Sequence, residues 1–130
     1  MEVPPAIVIH GIEDARAALT PGLPVTLLSA PDAALYAGCG FWRALLRQAR
    51  AEFPSVPSAD ILDCADASGY ALAALRLGQQ ILVLRADAPG RTAVAAIAEA
   101  AGAVLLDARP PALDLAGPGA ARGLVAWLRG

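Results

Sequence analysis

Residues 60–75 read DILDCADASGYALAAL. Ile61 and Leu62 close a short apolar run, residues 63–69 collect turn-forming and helix-opening types, and from Tyr70 onward an apolar helix begins. The stretch is a strand passing through a polar turn into a helix. The same succession recurs on either side of it: residues 7–9, 25–28, 81–84 and 104–106 are further short runs, continuous rather than alternating, as strands covered on both faces require.

Between these runs lie segments with helical spacing. Ile12, Ala15 and Leu19 share a face before Thr20, Pro21 and Gly22 stop the first helix; Phe41, Leu45, Leu46, Ala49 and Phe53 form a longer stripe ended by Pro54. Helices over 70–77 and 92–101 end at Gly78 and Gly102, where a left-handed cap places glycine. A short final helix, 124–128, follows the breaker-rich stretch 109–119. Five strand-helix units in one chain of 130 residues predict a single α/β domain over 1–130: a three-layer parallel sheet of about five strands with helices on both faces, flavodoxin-like or Rossmann-like. Half of a (β/α)-barrel or a swapped assembly would satisfy the same pattern.

Composition removes many functions. At 57% hydrophobic and 17% charged the chain lies far from the disordered class, and no apolar run approaches the ~20 residues of a membrane span. The first residues lack the basic start of a secretory signal, so a cytoplasmic location is expected. All ten basic residues are arginine. Schiff-base chemistry, pyridoxal-phosphate catalysis and Walker-type nucleotide binding all need a lysine and are thereby excluded. A net charge of −2 argues against nucleic acid. Cys39 and Cys64 form no C-x-x-C pair, so free thiols are expected rather than a disulfide framework or zinc. With His10 the only histidine, no metal and no cofactor are expected; a carboxylate-only set would suit magnesium, and the spacing of the aspartates does not demand one.

In open parallel sheets, ligands bind beyond the carboxyl ends of the strands, where loops part and helix N–H groups point outward. The polar residues collect at those positions: His10 and Gly11 after the first strand, residues 29–32 after the second, then Asp63, Cys64 and Asp66, then Arg85 and Asp87, then Asp107 and Arg109. Asp66 or Ser68 would cap the helix from Tyr70, with Gly69 allowing close approach; alternatively Ser68 and Gly69 hold an anion while Asp63 or Asp66 handles a proton. If Ser68 is only a cap, its loss costs about 1 kcal/mol. Arg85 and Arg109 are the expected anion partners, unless aspartates such as Asp87 and Asp107 pair with them. Cys39, in the turn 36–40 before the Phe41 helix, could be an activated thiol with His10 as base and Asp63 as orienter. Arg43, Arg47 and Arg50 share a helix face, either solvated or a docking strip.

The turn Asp66-Ala67-Ser68-Gly69 resembles the phosphorylation turn of the STAS (anti-sigma-factor antagonist) family, Asp-Ser-Ser/Thr-Gly. Ala67 stands where that family carries its phosphorylated serine, so the resemblance would move any phospho-switch to Ser68. Helix 70–77 carries one charge, Arg76, between Tyr70 and Leu77, which predicts burial on more than one side and a homodimer through this helix, joined by Trp127 and Leu128. The expected function is a small binding or interaction module taking an anionic metabolite at the strand ends. The alternative is a lysine-independent enzyme acting on a phosphorylated or carboxylated substrate with Asp63, His10 or Cys39.

Overall fold

A computed structural model describes residues 2–31, 33 and 37–130, so that Asp32 and Tyr36 of the turns above lie outside the described residues. The strands are β1 Ala6–Ile9, β2 Val25–Ser29, β3 Ser58–Asp63, β4 Ile81–Val83, β5 Val104–Leu106 and β6 Ala112–Asp114. The helices are α1 Ile12–Leu19, α2 Cys39–Glu52, α3 Ser68–Arg76, α4 Arg91–Ala100 and α5 Ala120–Arg129. The fold is the expected three-layer α/β class built on a parallel sheet, with strand order β5-β4-β3-β2-β1-β6. That order departs from both common doubly wound arrangements: β1 to β5 lie side by side in sequence, and β6 is added beyond β1.

The chain divides into two compact units, the first comprising Met1–Ala30, Ala44–Asp60 and Pro110–Gly130, the second Pro31–Arg43 and Ile61–Arg109. In the first, β1 pairs in parallel with β2 on one side and β6 on the other. Every residue of β1 and β2 is buried, which is why their sequences do not alternate. Helix α1 packs Ala15, Ala18 and Leu19 inward. Arg16 donates from Nε to Glu52 Oε1 at 2.7 Å, and this hydrogen bond holds the Glu52 carboxyl below its usual range.

Strand β6 was not expected. Its three residues sit between Pro110-Pro111 and Gly117, a composition that reads as loop, and they survive as a strand because β6 takes hydrogen bonds from one side only. Leu128 is buried and the half-buried Trp127 donates from its indole to the Ala6 carbonyl at 2.7 Å, which ties α5 to its own unit. In α2 the inward aromatic is Trp42, not Phe41: Trp42, Leu45, Leu46 and Ala49 follow the i, i+3, i+4, i+7 spacing, and Phe41 is left exposed. Arg50 is no solvated face residue either, since it donates to Ser58 Oγ at 3.0 Å and Asp60 Oδ1 at 2.9 Å.

In the second unit β4 pairs in parallel with β3 and β5. Ile61, Leu62, Leu82 and Leu84 form its buried centre. Helix α3 buries Ala71, Ala74 and Leu75 and packs against α4, so a neighbouring helix supplies much of the cover that its apolar composition demands. Both helices end as expected, with Gly78 at φ 90° and Gly102 at φ 72°. The N–H groups of Gln79 and Ala103 close each end onto the Ala74 and Ala98 carbonyls, which also accept from the Leu77 and Ala101 N–H groups.

Candidate functional site

Strand β3 ends on Asp63, and the next two residues turn sharply. Ala65 has φ 53°, the one positive value among described non-glycine residues, a conformation costing an L-residue about 1 kcal/mol or more. Three hydrogen bonds hold it there. Asp63 Oδ1 accepts from the Ala65 N–H at 2.8 Å, the Ala65 carbonyl accepts from Arg85 N–H at 2.8 Å, and Cys64 N–H donates to the Val83 carbonyl at 2.9 Å. The first is an Asx-type turn, so the aspartate side chain shapes the backbone that follows it.

Asp63 is itself almost fully buried, with 6% of its side chain exposed, and its second oxygen accepts from Arg109 Nη1 at 2.7 Å. Arg109 reaches it from the segment after β5 and is 26% exposed. Beside this pair opens a cleft of about 420 Å³. Pro31, Ala65, Val83 and Ala108 give it apolar walls; Asp63, Arg85, Asp107 and Arg109 give it charge. The carboxyl ends of β3, β4 and β5 therefore bring together four of the residues picked out from the sequence.

Arg85 pairs at its exposed end with Asp66 at 3.2 Å and Asp87 at 3.5 Å. Asp107 takes Arg91, not Arg109, as its partner, and Arg91 also donates from Nε to the Leu84 carbonyl at 3.0 Å. The expected pairing of Arg85 with Asp87 is present; Arg109 instead meets Asp63.

The capping role expected of Ser68 or Asp66 is not observed. Ala67 occupies the cap position of α3 without a side-chain bond, the Ser68 hydroxyl donates to the Pro89 carbonyl, and Asp66 turns to Arg85. Gly69 is exposed, and a side chain there would meet nothing within 4 Å, so no close backbone approach explains it.

Nor do the thiols and the histidine form the expected relay. His10 takes Asp114, not Asp63, with Nε2 and Oδ1 2.7 Å apart, while its N–H donates to Asp14. Cys39 opens α2 and is half-buried. Cys64 is fully buried, and desolvation, reinforced by Asp63 and Cys39, pushes its thiol up to about 12. A thiol so raised is protonated at neutral pH and is no nucleophile. Among the described residues no group of three or more histidine, cysteine, aspartate or glutamate side chains could hold a metal ion.

Sequence reasoning missed Asp114, Arg91 and the conformation of Ala65. Asp114 sits in the stretch read as loop. Arg91 follows Pro89-Gly90 at the start of α4, a signal for the helix but not for its partner. Ala65 carries no mark of a left-handed position, where glycine or asparagine is usual. No protein-family model matches this chain, and no curated protein matches it.

Proposed function

We propose that this protein is a small α/β binding module that takes an anionic metabolite in the cleft at the ends of β3, β4 and β5, with Arg85 holding the anion. The observation carrying this reading is the coincidence in one cleft wall of the left-handed Ala65 and the ion pair of buried Asp63 with Arg109. Strained backbone tends to be retained at ligand clamps, and here the buried Asp63 carboxylate keeps it in place.

Magnitudes choose between the two arginines. Drawing Arg109 away would take the charge-assisted bond at 2.7 Å from the buried Asp63 carboxylate, at about 3–5 kcal/mol. Arg85 is 54% exposed, and solvated pairs of the kind it makes with Asp66 and Asp87 are worth about 0–1 kcal/mol. An incoming phosphate or carboxylate therefore displaces aspartates from Arg85 at small cost, while Arg109 remains as structure. Ser68 and Gly69 have no part in holding the anion in this arrangement.

A thermal-shift screen of phosphorylated and carboxylated metabolites tests this, because binding to the folded state alone raises apparent stability. Arg85→Met is expected to weaken any ligand found by about tenfold or more, while moving the melting temperature of the free protein by less than about 3 °C. Undiminished binding by that variant would remove Arg85 from the role.

The enzyme reading draws its support from the half-exposed His10–Asp114 pair, a suitable base and orienter. For a nucleophile it has Cys39, half-buried at the start of α2, since Cys64 is buried and protonated and the Ser68 hydroxyl is bound to a carbonyl. A cytoplasmic setting belongs to the proposal because two free thiols suit a reducing compartment. No helix among the described residues is long and apolar enough to cross a membrane. Self-association through α3 is part of the proposal as well, supported by Tyr70 and Leu77, 44% and 51% exposed. Light scattering at rising concentration is expected to show a dimer that Leu77→Glu disrupts; a wild-type monomer at the highest concentration would remove this part.

A further inference from the structure

We infer that the ligand of this cleft carries a cationic group beside its anionic one, the anion held by Arg85 and the cation by Asp107, which makes its class a small zwitterion of the amino-acid kind. The inference rests on the binding reading above and narrows it.

Strands β4 and β5 are adjacent and parallel, with Val83 opposite Leu106 and the Leu84 N–H donating to the Leu106 carbonyl at 3.0 Å. Arg85 and Asp107 therefore leave neighbouring strand ends, which in a sheet lie about 5 Å apart. Both line the cleft. They do not pair with each other: Arg85 turns to Asp66 and Asp87, and Asp107 to Arg91. Opposite charges thus stand side by side at the cleft: Arg85 is satisfied by exposed aspartates that are cheaply given up, while Asp107, 71% exposed, keeps acceptor positions open to solvent beside its bond to Arg91.

Net charge favours the same class. The four carboxylates of Asp63, Asp66, Asp87 and Asp107 outnumber the three guanidiniums of Arg85, Arg91 and Arg109. A phosphate or dicarboxylate seated on Arg85 would add negative charge to a cluster already negative, and would bring it against Asp107. An ammonium on the same ligand turns that repulsion into a second charge-assisted hydrogen bond. Ala65, Val83 and Ala108 supply apolar wall for the short carbon chain between the two groups.

Calorimetric titration of the full chain distinguishes the possibilities, using glycine, β-alanine and γ-aminobutyrate as zwitterions and succinate and inorganic phosphate as anions, at matched ionic strength. At least one zwitterion is expected to bind more tightly than either anion. Asp107→Asn is expected to weaken the zwitterion about tenfold and to leave succinate unchanged or improved. Succinate or phosphate binding more tightly than every zwitterion, with dependence on Arg85, would overturn the inference and leave the anion-binding reading standing. Zwitterion binding indifferent to Asp107→Asn would also overturn it. Binding of no probe, or binding indifferent to Arg85→Met, would overturn both. Melting temperatures of the free variants separate lost contacts from lost folding.

Discussion

Arg109→Met is expected to lower the free energy of unfolding by about 3 kcal/mol, read by urea denaturation at neutral pH. Methionine preserves most of the length and apolar stem of arginine, so packing changes little. What changes is Asp63, whose carboxylate stays buried after its cation at 2.7 Å has gone. A carboxylate kept out of water without that cation is held at high desolvation cost. The double variant Asp63→Asn, Arg109→Met is expected to regain most of the loss, because asparagine still accepts from the Ala65 N–H and brings no charge into the interior. A single-variant cost below about 1 kcal/mol would place this pair with the surface ion pairs and remove the distinction drawn between Arg109 and Arg85.

The second large effect is a loss of stability in alkali, traceable to one thiol. Below pH 9 Cys64 is protonated in the folded and unfolded chains alike and adds no pH dependence. Between its ordinary value of 9.0 and the raised value of about 12, the unfolded chain releases a proton that the folded one keeps. The unfolded state is favoured accordingly, and stability falls with rising pH by up to about 1.4 kcal/mol per unit from this group. The contribution is whole below pH 9 and is lost as pH climbs toward 12. Denaturant midpoints measured from pH 8 to 11 should fall more steeply for the wild type than for Cys64→Ala, which has no thiol to ionise. Parallel curves would show that burial of Cys64 does not carry the effect.

These two expectations concern Asp63 and Cys64, adjacent residues whose types were legible in the sequence and whose circumstances were not. Periodicity located the end of β3 because Ile61 and Leu62 form an apolar run followed by polar turn residues. It could not show that Arg109, 46 positions away, returns to Asp63. Pairings of that separation depend on strand order, and the order with β6 beyond β1 has no local signature. The exchange of Asp66 from helix cap to ion pair has the same origin, since Arg85 comes from the neighbouring strand.

Local chemistry alone specified the alternation of strand and helix, the glycine-terminated ends of α3 and α4, and the collection of polar residues after strands. Hydrophobic period, turn residues and helix caps act within a few positions of one another, and the chain spells them out. Three-dimensional packing assigned the partners: Asp114 to His10, Arg109 to Asp63, Arg91 to Asp107, Trp42 instead of Phe41 to the interior. Those choices turn on which side chains arrive close together after the strands are ordered, and on how much water is left between them.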